Sequence, residues 1–184
     1  MDATRELVEE HEVVLAALNL MEKVVAAMEK PGMESREHFG LLLDFFQVFV
    51  DRCHHGKEEE VLFPELERLG VRRETGPIGV MLREHDIGRQ HVRAMSEALD
   101  RLQRGERGAW DRLQDEAEDY ANLLRGHIRK ENEVLFPTAD RLIPADRAAL
   151  LAVRYEGIEH RRLLDRTHES LISMLDDLKR KYPA

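Results

Sequence analysis

Apolar residues recur at spacings of three and four along almost the whole chain, and clusters of glycine and proline separate the segments that carry this pattern. Such periodicity is typical of amphipathic helices, and no stretch shows a convincing strand pattern. The predicted long helices cover about residues 3–29, 35–69, 77–104 and 109–139. Because each helix would otherwise leave a long apolar face in water, we predict an all-α fold, an antiparallel four-helix bundle.

Two further helices are predicted after Pro144, with Gly157 marking the break between them. They form a C-terminal helical extension over about residues 144–181, beyond a bundle that covers about residues 3–139. The length of 184 residues suits one domain, so we expect residues 1–184 to form a single domain. The extension needs an apolar surface to pack on, and we expect it to close one end of the site described next.

An internal repeat carries the candidate chemistry. Residues 54–64 and 127–137 both read His-x-x-Lys-Glu-x-Glu-Val-Leu-Phe-Pro, at an offset of 73 residues. Upstream, Glu10-His11 and Glu84-His85 form a second matching pair, at an offset of 74 residues. So many identities at one offset indicate two fused copies of a helix pair, related by pseudo-twofold symmetry.

The repeated segments each place a histidine and a glutamate on one helix face, because residues i and i+4 lie about 5–6 Å apart at Cβ. A bundle built on this repeat brings six side chains to one central level: His11, His54, Glu58, His85, His127 and Glu131. Burying two carboxylates without partners is costly, and a pair of metal ions offsets that cost. One such His–Glu pair alone is more often a surface ion pair, but the repeated context favours a metal site.

Several metals remain possible from the residues alone. Imidazole binds iron, zinc, copper and nickel, whereas bridging carboxylates favour pairs of iron or manganese ions. A structural zinc site usually takes cysteine and four ligands, and this chain has one cysteine. The Glu-x-x-His motif of ferritin-like di-iron bundles is absent from the sequence.

The neighbours of the predicted ligands are expected to lie outside the ligand set. On an α-helix His55 is turned about 100° from His54, which predicts a supporting or surface position. Glu59 is out of register with Glu131, so its replacement is expected to change little. Lys57 and Lys130 occupy matching places in the repeat and are expected to extend toward solvent.

Composition and charge exclude several classes of protein. Lysine and arginine number 28 against 37 aspartates and glutamates, a net charge of −9, so a nucleic-acid partner is not expected. No apolar run approaches the roughly 18 residues of a membrane span, and the N-terminus lacks a secretory signal. With a single cysteine, these features predict a cytoplasmic protein without a membrane partner; no protein partner is indicated.

The chain resembles bacterial hemerythrin-like proteins with the histidine–histidine–glutamate (HHE) cation-binding domain. The family pattern H…HxxxE…H…HxxxE is matched by His11, His54/Glu58, His85 and His127/Glu131. The segments Cys53-His-His-Gly-Lys-Glu-Glu and Gly76-Pro-Ile-Gly-Val-Met-Leu are similar to those of a common bacterial subfamily. The resemblance implies a non-haem di-iron centre, two iron ions bridged by the glutamate carboxylates and by an oxo or hydroxo group.

One departure from the oxygen-carrying members concerns the third helix. Carriers have two histidines one turn apart there, whereas Arg89 follows His85 by four residues in this chain. Stable O₂ carriage is therefore not expected. One iron also lacks a fifth histidine, and His168, in a Thr-His-Glu sequence that recurs in similar chains, is predicted as an additional ligand, with His160 as the weaker alternative.

The resemblance implies a protein that binds, senses or reduces a small oxidant, namely O₂, peroxide or nitric oxide, which would be its small-molecule partner. An iron donor or storage module for the repair of iron–sulfur centres is the first alternative. A di-iron oxidase or peroxidase is the second, and it would need a pocket for an organic substrate. A structural zinc bundle is the least favoured hypothesis.

Overall fold

The computed structural model describes residues 2–29, 33–163 and 166–183, and all regular structure within these ranges is helical. Within these ranges six helices follow one another, and the second and fourth are each continuous across several segments. The helices are α1 (Arg5–Met28), α2 (33–68), α3 (Pro77–Gln103), α4 (109–142), α5 (Ala145–Arg162) and α6 (His168–Lys181). Residues 164 and 165 of the predicted C-terminal extension lie outside the described residues.

The first four helices form the predicted bundle. Each packs against the next along the chain, and α4 closes the ring by packing against α1. The all-α prediction is therefore confirmed, and the predicted helix ends agree with the observed ones within a few residues. No helix in the described ranges combines the length and the apolar character that crossing a membrane requires.

The apolar side chains inside the bundle form two clusters, separated along the bundle axis by a polar level. The first cluster includes Phe39 and Phe46, and the second includes Phe63 and Phe136. On α1, Leu7 belongs to the second cluster and Val14 to the first, and His11 lies between them. The same succession on the other three helices places the polar level in the middle of the core, sealed by hydrocarbon on both sides.

Helices α2 and α4 contain wide, π-helical turns that the sequence pattern did not predict. Their π segments are Phe46–His55 and Glu58–Leu62 in α2, and Glu131–Leu135 in α4. Pro64 and Pro137 follow directly, in the first turn of the next α-helical segments. Proline has no backbone N–H to donate, which weakens α-helical bonding over the preceding turn, and π turns are frequent at functional sites.

The C-terminal extension differs from its prediction in two respects. Gly157 lies inside α5, and the break falls between Arg162 and His168 instead. The extension also runs along the side of the bundle rather than across one end, because α5 contacts the π segments of α2 while α6 contacts α1 and Met33–Phe45. Its buried apolar residues join both clusters of the core.

Candidate metal centre

The six side chains predicted from the repeat meet at the polar level of the bundle. They form two overlapping groups in which ligand atoms lie within 4.8 Å of one another. The first group is His11, His54, Glu58 and Glu131, and the second includes Glu58, His85 and His127. All six side chains are at most 2% exposed, so water does not compensate for their polarity.

The imidazoles are arranged in two pairs whose Nε2 atoms face each other. These atoms are 3.1 Å apart between His11 and His54, and 3.2 Å apart between His85 and His127. Glu131 Oε2 lies 3.2 Å from Nε2 of both His11 and His127. Glu58 Oε2 lies 3.3 Å from His85 Nε2, and Glu58 Oε1 lies 3.7 Å from His54 Nε2. Each carboxylate therefore contacts one imidazole from each pair.

Among the described residues, none of the four oxygen atoms of Glu58 and Glu131 has a hydrogen-bond partner, although all four are buried. Uncompensated burial of a carboxylate costs several kcal/mol, so an arrangement of this kind needs a cation. The donor set of imidazole nitrogens and carboxylate oxygens fits a pair of iron ions, with the two carboxylates placed between the pairs. The residues thus fit the metal centre that the repeat predicts.

On the outer side of the first pair, each imidazole Nδ1 faces an acceptor. His54 donates to Glu10 Oε2 over 2.7 Å, and His11 donates to the amide oxygen of Asn132 over 2.8 Å. When Nδ1 of a neutral imidazole carries the proton, the lone pair lies on Nε2, and in both rings Nε2 points to the centre. Such outer partners fix the ring orientation and raise the basicity of a metal ligand.

The second pair has the same construction. His85 donates from Nδ1 to Glu59 Oε1 over 2.7 Å, and His127 donates to Glu84 Oε2 over 3.0 Å. Glu59 also accepts a hydrogen bond of 2.6 Å from Arg89. The sequence did not predict this contact, in which the Glu59 carboxylate orients His85 from outside the ligand set.

Both repeated lysines contact this outer layer; the expectation that they extend toward solvent is wrong for Lys57, but the Lys130 side chain is 44% exposed. Lys57 is fully buried and donates to Glu10 over 2.6 Å, and it also contacts Glu6. Lys130 donates to Glu84 in the matching place. Burial opposes the charge of Glu10, yet hydrogen bonds from His168 and His54 and the charge of Lys57 lower the pKa of this carboxyl group. Glu10 therefore remains an anionic acceptor.

His55 was predicted outside the site, but the structure places it within the second group. One of its ring nitrogens lies within 4.8 Å of ligand atoms of Glu58, His85 and His127. The ring is 4% exposed and stacks on His85, with ring centroids 3.8 Å apart and an interplanar angle of 11°. The prediction assumed α-helical turns, whereas His54 and His55 end a π segment, whose wider turn changes the direction of each side chain.

His168 is not brought to the six central residues. Its ring stacks on Phe49, with centroids 4.6 Å apart, and its Nε2 donates to Glu10 Oε1 over 3.1 Å. His168 thus contacts Glu10, the carboxylate that orients His54, and does not itself lie among the other predicted ligands. His160 is exposed on α5 and lies in neither central group.

A cavity of about 290 Å³ lies between α2, α3 and α4, and one of its lining residues, His55, stacks on His85 of the second pair. Phe46, Val92 and Tyr120 supply apolar walls, and Arg89 lies among the polar residues. Burial and the charge of Asp51 raise the pKa of Tyr120, so its hydroxyl group stays protonated. The centre is therefore enclosed by apolar clusters along the bundle axis but approached by a cavity from one side.

Comparison with known families agrees with this geometry. The model of the hemerythrin HHE cation-binding domain matches residues 2–139, three quarters of the chain. The chain belongs to the hemerythrin HHE cation-binding family. Membership implies that this hemerythrin domain binds iron, and it confirms the resemblance that the repeat indicates.

The hemerythrin domain is also similar to individual proteins. An uncharacterized protein of Mycobacterium tuberculosis is 22% identical over 178 residues, covering 97% of this chain and 69% of the relative. Iron-sulfur cluster repair protein DnrN of Neisseria gonorrhoeae is 34% identical over 102 residues, covering 53% of this chain and 62% of DnrN. For iron-sulfur cluster repair protein YtfE of Yersinia pseudotuberculosis, the identity is 30% over 105 residues, covering 55% of this chain and 48% of YtfE.

The third helix of this hemerythrin domain carries an arginine, not a second histidine, one turn after His85. Arg89 lies one turn after His85 and donates to Asp51 over 2.6 Å, to Glu59 over 2.6 Å and to Asp86 over 2.9 Å. A guanidinium group stays charged and does not ligate a metal ion. Arg89 therefore fixes the outer carboxylates and leaves the α3 side of the centre without a second histidine ligand.

Proposed function

We propose that the protein is a non-haem di-iron protein that binds, senses or reduces a small oxidant: O₂, peroxide or nitric oxide. The observation that carries this proposal is the pair of buried carboxylates, Glu58 and Glu131. Each lies between two imidazoles of opposite pairs, and neither has a hydrogen-bond partner in the part of the chain that the structure describes. Two iron ions would be held by His11 and His54 and by His85 and His127, with both carboxylates shared. Bound iron would supply the electrons for the reduction of the oxidant.

The protein residues would define how a small molecule reaches the centre. Leu7, Phe63 and Phe136 are fully or almost fully buried, so the second apolar cluster excludes water from that end. The cavity beside His55 supports entry of a diatomic molecule or a peroxide from the α2–α3 side. Water exclusion strengthens electrostatic interactions inside such a site.

The experiment is anaerobic reconstitution of the metal-free protein with iron(II), followed by elemental analysis and optical spectra after exposure to O₂, peroxide and nitric oxide in turn. We expect about two iron ions per chain and a spectral change with at least one of the three oxidants. Binding of a single metal ion, or an iron-loaded protein that responds to none of them, would contradict the proposal.

An iron-donor function is the second candidate, and it is favoured by the names of DnrN and YtfE, both iron-sulfur cluster repair proteins at 30–34% identity. A donor must release iron to an acceptor, whereas an oxidant sensor retains it during turnover. Incubation of the iron-loaded protein with an iron-depleted cluster protein, followed by separation of the two, distinguishes these functions. If the iron stays with this chain after that incubation, the donor function is excluded.

A further inference from the structure

The two halves of the repeat differ at two positions beside the predicted ligands. At the offset of 73 residues, His54, Lys57 and Glu58 are repeated as His127, Lys130 and Glu131. His55 corresponds to Ile128, and Glu59 corresponds to Asn132. A perfect repeat would give two equivalent metal positions, so these two differences determine how the positions diverge.

The first difference adds a nitrogen donor to one side only. His55 lies in the group of Glu58, His85 and His127, whereas Ile128 is buried hydrocarbon with no donor atom. The Nδ1 atom of His55 is buried and has no hydrogen-bond partner among the described residues. By contrast, Nδ1 of each of the four predicted histidine ligands is held by an acceptor on another helix. Within the described ranges, His55 is thus the one buried imidazole at this level that lacks such a hydrogen bond.

The second difference changes the acceptor behind one imidazole of each pair. Glu59 places a carboxylate on His85, whereas Asn132 places a neutral amide on His11. Each of the three outer carboxylates also contacts a cation: Lys57 for Glu10, Arg89 for Glu59, and Lys130 for Glu84. A carboxylate behind an imidazole makes the ring a stronger metal ligand than an amide does. Both imidazoles of the second pair have this support, and only His54 has it in the first pair.

We propose that the two metal positions are unequal: the position at His85 and His127 binds metal more tightly, with His55 as its third imidazole ligand. The geometry requires a rotation of the His55 ring out of its stack on His85, so that a ring nitrogen points to the ion. This inference rests on the proposed two-metal centre. It also fills, from α2, the ligand place for which the third helix carries Arg89.

The test titrates metal-free, full-length protein with cobalt(II) under argon, using calorimetry and visible absorption. We expect two binding steps, with dissociation constants separated by about tenfold or more. His55→Ile, which copies the matching residue of the other half, should weaken the tighter step about tenfold or more and leave the weaker step within about twofold. Ile128→Val, the matched control, should change neither step by more than about twofold.

A second variant and a measurement on the unaltered protein keep the proposal testable if His55→Ile does not fold. His55→Gln retains polarity, and its helical content is checked by circular dichroism before titration. X-ray absorption of the unaltered protein with one equivalent of cobalt(II) counts the imidazoles around the first ion. Three imidazoles support the proposal; two imidazoles, or wild-type affinity in a folded His55 variant, overturn it. Two equal steps refute the inequality alone, whereas uptake of only one ion refutes the two-metal centre.

Discussion

Glu10 and His54 are joined by a buried hydrogen bond of 2.7 Å that crosses from α1 to α2. The same relationship recurs between Glu84 and His127, from α3 to α4. In each Glu-His dipeptide, the histidine points to the centre and the glutamate orients a histidine of the neighbouring helix. A two-residue motif thus builds one ligand and the support of another.

The first prediction concerns this support. Glu10→Gln removes the carboxylate behind His54 while keeping its size, so metal affinity of the first position should fall about 10–100-fold. Calorimetric titration of the metal-free variant measures the loss. Glu12→Gln is the matched control, because Glu12 is exposed on the same helix. The metal affinity of this variant should equal that of the unaltered protein. Equal losses in the two variants would mean that the Glu10–His54 contact does not support metal binding.

Glu58 and Glu59 should differ in the kind of effect their replacement has. Glu58→Ala removes a shared carboxylate, and we expect loss of at least one of the two metal ions on gel filtration. Glu59→Ala keeps all predicted ligands and should retain the metal, but with affinity reduced about 10–100-fold because His85 loses its acceptor. Elemental analysis after gel filtration and a chelator competition separate the two results. Full metal retention by the Glu58 variant would remove this carboxylate from the ligand set.

Metal removal should destabilise the fold. Ligand binding to the folded state alone adds stability, and the buried carboxylates of Glu58 and Glu131 lose their compensation when the metal leaves. We expect a lower melting temperature after dialysis against a chelator and recovery of the original value when iron(II) is restored. Circular dichroism at 222 nm monitors both transitions. An unchanged melting temperature would show that the folded protein tolerates the uncompensated carboxylates.

Acid should weaken the attachment of α5 to α2. Glu65 is buried and binds Arg68 at 2.7 Å and Arg147 at 2.8 Å, and these hydrogen bonds lower its pKa to about 2. A carboxyl group with a lowered pKa stabilises the fold above its unfolded pKa of about 4.5, and this contribution disappears as pH falls toward 2.

Because both arginines are more than a third exposed, screening limits the contribution of Glu65, and Glu65→Gln should cost about 1 kcal/mol at pH 7. Urea unfolding at pH 7 and pH 3 measures the difference between variant and parent, which should shrink at pH 3. Glu67→Gln is the control, because Glu67 pairs only with Arg73 among the described residues, at the surface. If the difference in unfolding free energy between variant and parent is the same at both pH values, the ionisation of Glu65 does not cause it.

O₂ should oxidise the reduced protein, and evacuation should not restore the ferrous form. The α3 side of the centre carries Arg89 in place of a second histidine, and a cavity of about 290 Å³ approaches the second pair. We therefore expect the spectrum to convert rapidly to that of the ferric form. Stopped-flow absorption measures the rate of this conversion. Return of the ferrous spectrum after evacuation would establish reversible binding instead.

The sequence predicted the bundle and the meeting of six side chains, because a helical spacing of four and a repeat offset are both visible in one dimension. It could not predict the outer layer, because Glu10 on α1 contacts His54 on α2, and Asn132 on α4 contacts His11 on α1. The position of His55 was predicted wrongly because π turns change side-chain directions without a clear sequence signal. Gly157 was taken for a break because glycine tolerates many conformations, yet the buried neighbours Tyr155 and Ile158 hold it within α5.

Fusion of the two halves in one chain has a consequence for how the centre can change. If two identical half-length chains formed such a bundle as a homodimer, exact twofold symmetry would place the same residue beside both metal positions. Every substitution would then act twice, and neither position could be altered without the other. In the fused chain, position 55 holds histidine while position 128 holds isoleucine. Covalent linkage thus releases the two halves from symmetry and allows each metal position to vary independently.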